Sequence, residues 1–410
     1  MTSFKREEPT LGEKIPLEIV QLASGFSEIG ESYPADLDRV PLESLPILRK
    51  AHFRSVKDSL LNRARKRSGG AVILGSGGTT SEPLISVIPS GMFLKQIRQV
   101  WDPLKPDDVV ANLNVGGELG SMFPFFSSLC DVSNAVSVPL GPLGDQKAVE
   151  RWLPFFEAVG VTTLAGTPTQ MSIVLGLLNE TNRRLSTLKK LIWTGEAFSA
   201  AALEEVKRYG PLEMYGAYGS TETWVIGVSY PECPVGTFHW VPYQHVEFVE
   251  GQVTVTCLDT DCINPIVRYQ PGDHALVCEC ACGRPRAFSV EGRADEQVKF
   301  LSILFYPREP YDVVSSHPDV HASQIILIDN GSPQERMEVQ VVLNVCDGQV
   351  DIESATRSIR DHLLGKLYRL AHETHDRPER IVVRAVEQLN TNPRTMKTPY
   401  IVYRSSKKEG

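Results

Sequence analysis

AVILGSGGTTSEPLI, residues 71–85, decides how this chain is read. Four apolar residues run straight into Gly-Ser-Gly-Gly-Thr-Thr, the pattern of a strand that stops in order to hold something. Successive backbone N–H groups in a glycine turn form an anion nest, and hydroxyls add donors. The loop lacks the Gly-Lys-Ser/Thr ending of a Walker loop. Taken alone it fits a glycine-rich surface turn almost as well, so the surrounding sequence has to discriminate.

Upstream, ESLPILRKAHFRSVKDSLLNRARKRS (43–68) has helical periodicity with basic residues near its end. Downstream, IRQVWDPL (97–104) reads as helix and DVVANLNV (108–115) as a buried strand. Gly116 and Gly117 then open a helix through FPFFSSL, NAVSVPLG is a strand, QKAVERWLPFFEAVG a helix, and VTTLAGTP (161–168) a strand into a turn. LKKLIWTGEAF and LEMYGAYGSTE repeat the theme of a strand followed by a polar, glycine-containing loop. This alternation predicts an α/β fold with mostly parallel sheets covered by helices. From about 230 to 290 the pattern changes to antiparallel strands and turns. Beyond 299, the strands SQIILIDN, MEVQVVLNV and RIVVRAVEQL and the helix DIESATRSIRDHLLGKLYRLA predict a small α+β domain. The expected division is a large domain over 1–298, with a β-rich part at about 230–290, and a C-terminal domain over 299–410.

The 410 residues suffice for two or three domains, and the net charge of −8 gives no basic excess for phosphate-backbone binding. A nucleic-acid partner is therefore not expected. No run of about 18 apolar residues suggests a membrane span. The polar start MTSFKREEPTLGEK has no apolar signal core, so a cytoplasmic enzyme is the expectation.

Further motifs follow the loop in fixed order: TGEA (194–197), YGAYGSTET (215–223), VRYQPGD (267–273), GRADEQVK (292–299), and an isolated Lys397 in NPRTMKTPY (392–400). Each is weak, but their order is specific. Over about residues 40–405 the chain resembles the adenylate-forming superfamily of acyl-CoA synthetases, peptide-synthetase adenylation domains and luciferases. With its loop already at residue 75 and LESLPILRKAHFR (42–54) before it, it looks most like the phenylacetate–CoA ligase branch.

The resemblance implies roles. Ser76, Gly77, Gly78, Thr79 and Thr80 would wrap the β,γ-phosphates of ATP. Gly195, Glu196 and Ala197 would border the adenine, and Tyr218 would stack on it. Within the YGAYGSTET loop, Gly219 and Ser220 lead to Thr221, which would touch the α-phosphate, and to Glu222, which would hold Mg2+ through hard oxygen ligands. Asp273 would take the ribose hydroxyls, with Arg293 near ribose or phosphate. Lys299 would close the hinge at which the small domain rotates between half-reactions. Lys397 would bridge the substrate carboxylate and the nucleotide. The implied chemistry needs no general base, because a carboxylic acid with a pKa of about 4 is already ionised at neutral pH. It attacks the α-phosphorus, pyrophosphate leaves, and a second step passes the acyl group to CoA. The implied partners are a small carboxylic acid and an acyl acceptor; a homodimer is left open.

Three departures stand out. The family loop commonly reads Ser-Gly-Thr-Thr-Gly-Lys-Pro, whereas here Ser81 replaces the later glycine and Glu82 the lysine. Glu82 is expected to point away from the phosphates. Ser302 and Met396 stand where glycine is usual. An acceptor other than CoA (an amine, a carrier-protein thiol, or activated nitrite) and a nucleotide-binding regulatory protein are the alternatives. Gly116–Phe126 corresponds to a segment lining the family's acyl pocket. With Trp193 and Trp224 it suggests an apolar, aryl-type acid.

Eight cysteines are present, five of them between 257 and 282. Cys280-Ala-Cys282-Gly-Arg and Cys233 with His239, followed directly by Trp240, offer a tetrahedral N/S set. Some members of the phenylacetate–CoA ligase branch resemble this pattern. A structural Zn2+ at Cys233, His239, Cys280 and Cys282 is the expectation, with Cys278 as an alternative ligand. Cys257, Cys262 and Cys346 are expected to pack as buried thiols.

Overall fold

The computed structural model describes residues 15–37, 40–76, 83–117, 119–198, 200–293, 298–301, 303–305, 307–330, 334–344, 351–392 and 397–405. Gly77, Gly78, Thr79, Thr80, Ser81 and Glu82 lie outside them, as do Ser302, Cys346 and Met396.

The opening stretch forms a hairpin. β1 (Ala71–Ser76) pairs antiparallel with β2 (Leu84–Pro89), and Ser76 faces Leu84 at the mouth of the glycine loop. A sheet of eleven strands carries the rest of the first domain. Its parallel half comprises β3 (Val109–Asn112), β4 (Val136–Val138), β5 (Thr163–Gly166), β6 (Lys190–Thr194) and β7 (Glu213–Ser220). Its antiparallel half comprises β8 (Trp224–Ser229), β9 (Thr237–Trp240), β10 (Gln244–Val249), β11 (Gln252–Cys257), β12 (Asp273–Val277) and β13 (Ala287–Arg293). The strand order is β10-β11-β12-β13-β9-β8-β7-β6-β5-β3-β4. The antiparallel strands therefore continue the same sheet. The change from parallel to antiparallel falls between β7 and β8, where YGAYGSTET turns the chain. In the parallel half the strand order reverses between β3 and β5, and such a switch point leaves a crevice at the carboxyl ends of the strands.

Local chemistry sets the helices that cover this sheet. Asp145 caps helix Gln146–Val159 by accepting from the Ala148 N–H at 2.8 Å, and Gly160 at φ 69° ends it. Thr167 caps helix Pro168–Glu180, with proline at its first position. The helix expected to open at Gly116 begins instead at Met122, and the two glycines stay in the loop before it. The single helix expected over 43–68 is two, Lys50–Ser55 and Lys57–Lys66.

A second sheet, order β18-β17-β16-β19, is built from β16 (Val320–Ile328), β17 (Arg336–Leu343), β18 (Ile381–Ala385) and β19 (Ile401–Arg404). A hairpin of β14 (Val298–Phe300) and β15 (Ile303–Phe305) precedes it. Helices Arg308–Ser315, Ile352–Lys366 and Tyr368–Thr374 accompany it. Among the described residues there are two apolar cores. One gathers residues from Ile15 to Phe288, the other from Val298 to Ile381. No helix among the described residues is long and apolar enough to cross a membrane.

Candidate active site

The site is built where β1, β6, β7, β12 and β13 end, and the second sheet adds one side chain to it. At the hairpin mouth, Ser76 Oγ donates to Glu222 Oε1 at 2.7 Å, and Glu222 is otherwise buried. Thr221 Oγ1 lies 3.4 Å from Ser121 Oγ. Ser220 and Thr223 close the turn between them, with hydroxyl oxygens 3.0 Å apart. Gly219 is required by space: a Cβ there would fall 2.0 Å from the Trp224 carbonyl oxygen. Trp224 itself turns the chain at φ 62°.

On the other side of the crevice, Tyr218 lies against Phe238 and Phe288 and donates from its hydroxyl to Asp273 Oδ2 at 2.8 Å. Burial, and then Asp273, push the Tyr218 pKa well above its usual value, so the phenol stays a neutral donor. Arg293 Nη1 donates to Asp273 Oδ1 at 3.1 Å. Each carboxylate oxygen thus has one protein partner and keeps lone-pair capacity for a diol.

Lys397 enters from the second sheet. Its Nζ donates to the Gly195 carbonyl oxygen at 2.7 Å. Gly195 sits at φ 81°, and a Cβ on it would lie 2.8 Å from that Nζ, so only glycine leaves the ammonium its place. The adjacent Glu196 accepts from the Thr169 N–H at 3.0 Å, near the start of helix Pro168–Glu180. Burial raises the Glu196 pKa, against the pull of Lys397. Burial lowers the Lys397 pKa; Glu196 and Asp273 oppose this, and Arg293 reinforces it. Ala197 follows, half-buried. Lys299 lies in β14, and its side chain is outside the described residues.

The motifs do not mark the residue that holds Lys397. Gln324, buried in β16, donates from Nε2 to the carbonyls of Asn390 (2.8 Å) and Pro399 (2.9 Å) and accepts from the Asn390 N–H (3.0 Å). It ties together both arms of the segment that carries the lysine. A glutamine inside the apolar run SQIILI was the available signal.

The aromatic residues pack largely against one another. Phe125 and Phe126 are fully buried core, and Trp224 packs edge-on against Phe125. Trp193 lies on Gly216 and packs against Phe198 and Phe238. Phe123 is half-buried beside Gly116.

The cysteine set converges. One ligand atom each from Cys233, His239, Cys280 and Cys282 lies within 4.8 Å of the others. His239 Nε2 is 3.5 Å from Cys233 Sγ and 3.3 Å from Cys282 Sγ. Zn–S and Zn–N bonds of about 2.3 and 2.0 Å at tetrahedral angles require S···N separations of about 3.5 Å. His239 Nδ1 lies 2.7 Å from the Pro285 carbonyl oxygen, which fixes the ring with Nε2 toward the thiols. Burial raises the Cys282 pKa, but the Arg284 backbone N–H, Cys280, the Arg284 side chain and Cys233 outweigh it and bring it down to about 6. Burial and neighbouring thiols push Cys233 up to about 12. The donor set fits Zn2+. Cys278 lies outside it, and Cys257 and Cys262 are buried thiols.

A match to the AMP-binding enzymes spans residues 33–262, over half of the chain. The chain belongs to the AMP-binding enzyme family. Solved structures show the same adenylate-forming fold. A 2-hydroxyisobutyryl-CoA ligase in the postadenylation state with 2-HIB-AMP superposes at a TM-score of 0.71 and 14% identity, covering 97% of this chain and 91% of that one. The same ligase with 2-HIB-AMP and CoA in the thioesterification state gives 0.56 at 16% identity, covering 98% and 92%. An anthranilate CoA ligase, AuaEII, with anthranoyl-AMP gives 0.57 at 20% identity, covering 80% and 65%. No curated protein matches the sequence.

Proposed function

We propose that this AMP-binding enzyme activates a carboxylic acid, of aryl or related apolar type, as its acyl-AMP and transfers the acyl group to CoA. The observation that carries the reading is the meeting of Lys397 with Gly195 beside the Ser76–Glu222 and Tyr218–Asp273–Arg293 pairs. It supports reading Lys397 as a cation that the small domain contributes to the groups that would hold a nucleotide. Asp273 takes the ribose hydroxyls and Tyr218 lies under the adenine, bordered by Gly195, Glu196 and Ala197. Ser76 and the loop after it bind the leaving phosphates. Thr221 contacts the α-phosphate, and Glu222 holds Mg2+, which supplies charge neutralisation when bound. Two anions must approach each other, so the protein's contribution is positioning and fixed positive charge. Lys397 provides that charge between the acid's carboxylate and the α-phosphate.

The better superposition on the postadenylation form of the hydroxyisobutyryl ligase than on its thioesterification form supports reading this arrangement as the adenylating one. The second step then needs the domain from 299 onward to turn, with Lys299 as the hinge. Zn2+ at Cys233, His239, Cys280 and Cys282 would have all four positions filled by protein and would pin the β9–β13 corner, taking no part in the reaction. A likeness to the phenylacetate–CoA ligase branch fits this cysteine set.

The acceptor is tested by AMP release. With an acid that supports adenylation, CoA is expected to raise steady AMP formation well above the rate without acceptor, with the acyl-CoA as product. Release driven by an amine or carrier thiol and indifferent to CoA would overturn the CoA assignment.

The pH profile tests Lys397. The reading needs its ammonium protonated, and burial lowers its pKa below the ordinary 10.5. Rising pH therefore removes the charge sooner than for an exposed lysine. Acid-dependent ATP–pyrophosphate exchange is expected to fall on the alkaline side with a midpoint below 10.5, and Lys397→Arg, whose guanidinium stays charged, is expected to lose that alkaline limb. An identical limb in both proteins would contradict the assignment.

A further inference from the structure

The turn that carries Thr221 and Glu222 is gripped from behind. Its three successive carbonyl oxygens each accept a hydrogen bond from a buried side chain on a different element. Ser86 Oγ of β2 donates to the Thr221 oxygen at 3.0 Å. Asn264 Nδ2, in the segment between β11 and β12, donates to the Glu222 oxygen at 3.0 Å. Gln244 Nε2 of β10 donates to the Thr223 oxygen at 2.8 Å. Ser86, Gln244 and Asn264 are at most 2% exposed.

Asn264 is the centre of this arrangement. Its Nδ2 also donates to Ser86 Oγ at 2.9 Å, and its Oδ1 accepts from the Val87 N–H at 3.0 Å. A relay therefore runs from the Asn264 amide through the Ser86 hydroxyl to the Thr221 carbonyl. Burying three polar side chains where apolar ones would pack costs stability unless every group is matched. Here they converge on one turn of three residues, and of their side-chain polar atoms Gln244 Oε1 alone is buried without a partner among the described residues. Asn264 lies beyond the span matched by the family, which ends at residue 262.

We infer that Asn264, with Ser86 and Gln244, is a positioning residue that fixes the Thr221–Glu222 pair against the phosphate-loop hairpin for Mg2+-nucleotide binding. The backbone of the turn is held at all three carbonyls, while the Glu222 carboxylate meets Ser76 Oγ and the Thr221 hydroxyl lies beside Ser121 Oγ. Ser76 of β1 holds the Glu222 carboxylate, while Ser86 and the Val87 N–H of β2 hold its backbone through Asn264. Both strands that flank the glycine loop are thereby locked to the same glutamate. The inference rests on reading Glu222 as the Mg2+ ligand.

Asn264→Asp tests it with almost no change in volume. The carboxylate still accepts from Val87 N–H, but its second oxygen faces the Glu222 carbonyl as acceptor against acceptor and draws the Ser86 hydroxyl away from Thr221. Ser86→Ala, a small deletion, removes the Thr221 contact and the hydroxyl that accepts from Asn264 Nδ2, leaves the Asn264–Glu222 bond in place, and serves if the first variant does not fold. ATP binding to the purified full chain is measured by calorimetry in excess Mg2+ and in EDTA. Wild type is expected to bind ATP more tightly with Mg2+. In either variant that gain is expected to shrink by about fivefold or more, the scale of one lost hydrogen bond, with affinity in EDTA held within about twofold. A full Mg2+ gain in both variants would overturn the inference. So would an equal loss with and without Mg2+, the signature of a merely structural role, or wild-type binding indifferent to Mg2+. Acid-dependent pyrophosphate exchange by wild type is run in parallel. Its absence, with Mg2+-linked ATP binding intact and lost in the variants, would sink the ligase reading and leave the positioning role standing.

Discussion

Lys397→Ala is expected to lower acid-dependent ATP–pyrophosphate exchange by about 10²–10³-fold, the cost of removing one preorganised charge from a site where negative charge meets negative charge. ATP affinity is expected to stay within about threefold, because the Tyr218–Asp273–Arg293 group and the Ser76–Glu222 pair are untouched. The separation follows from the geometry. Lys397 belongs to the small domain and reaches the crevice only through its contact at Gly195, held by Gln324 behind it. On the proposed reading it acts on the transferring group, while the large domain would hold the nucleotide's adenine and ribose. Single-turnover formation of acyl-AMP checks the same point without the reverse reaction. Retention of more than a tenth of the wild-type rate would mean that the contact is a crossing between domains with no part in the chemistry.

The second large effect concerns the cysteine set. Purified protein is expected to hold one zinc per chain, and Cys280→Ser is expected to lose it and to melt on the order of 10 °C lower. Binding to a preformed four-ligand site is folding free energy, and losing several kcal/mol of it shifts a domain of this size by that order. The corner is otherwise held by the β9–β13 pairing and by Arg284, which pairs with Glu232 at 3.0 Å and lies over Tyr230. His239 is paired by its backbone to β13 and by its ring to Pro285, so without a metal the thiols face one another across it. Metal content by plasma emission and a melting curve with and without chelator measure both halves. A protein free of zinc, with Cys280→Ser melting as wild type does, would show that the four side chains are only packed together. Because none of them contacts Glu222, Asp273 or Lys397 among the described residues, nucleotide binding at low temperature should survive the loss.

Much of this architecture was legible because it rests on short-range chemistry. Strands ending in glycine and hydroxyl residues announced the crevice, and the change in hydrophobic pattern near 230 announced the antiparallel strands. What the pattern could not say was that those strands extend the same sheet, since the pairing of β9 with β13 joins residues far apart in sequence. The order of the motifs pointed to residues that the fold brings together: Ser76 to Glu222, Tyr218 and Arg293 to Asp273, Lys397 to Gly195. The cysteine pairs were legible for a similar reason, their close spacing within two turns. The supporting side chains were not. Gln324, Asn264 and Ser86 are polar residues in apolar surroundings, with no spacing rule to mark them, and their partners are carbonyls fixed only by the folded chain. The aromatic residues could not be sorted between pocket and core from the sequence. Phe125, Phe126 and Trp224 are near the site in sequence order yet pack as core, because periodicity marks burial without saying what is buried against them.

The central claim is that this site adenylates a carboxylic acid. Acid-dependent ATP–pyrophosphate exchange across a panel of aryl and aliphatic acids tests it most directly. The account predicts exchange that requires Mg2+ and an acid, strongest among apolar or aryl acids, and absent without one. ATP binding with no exchange for any acid in the panel would contradict it.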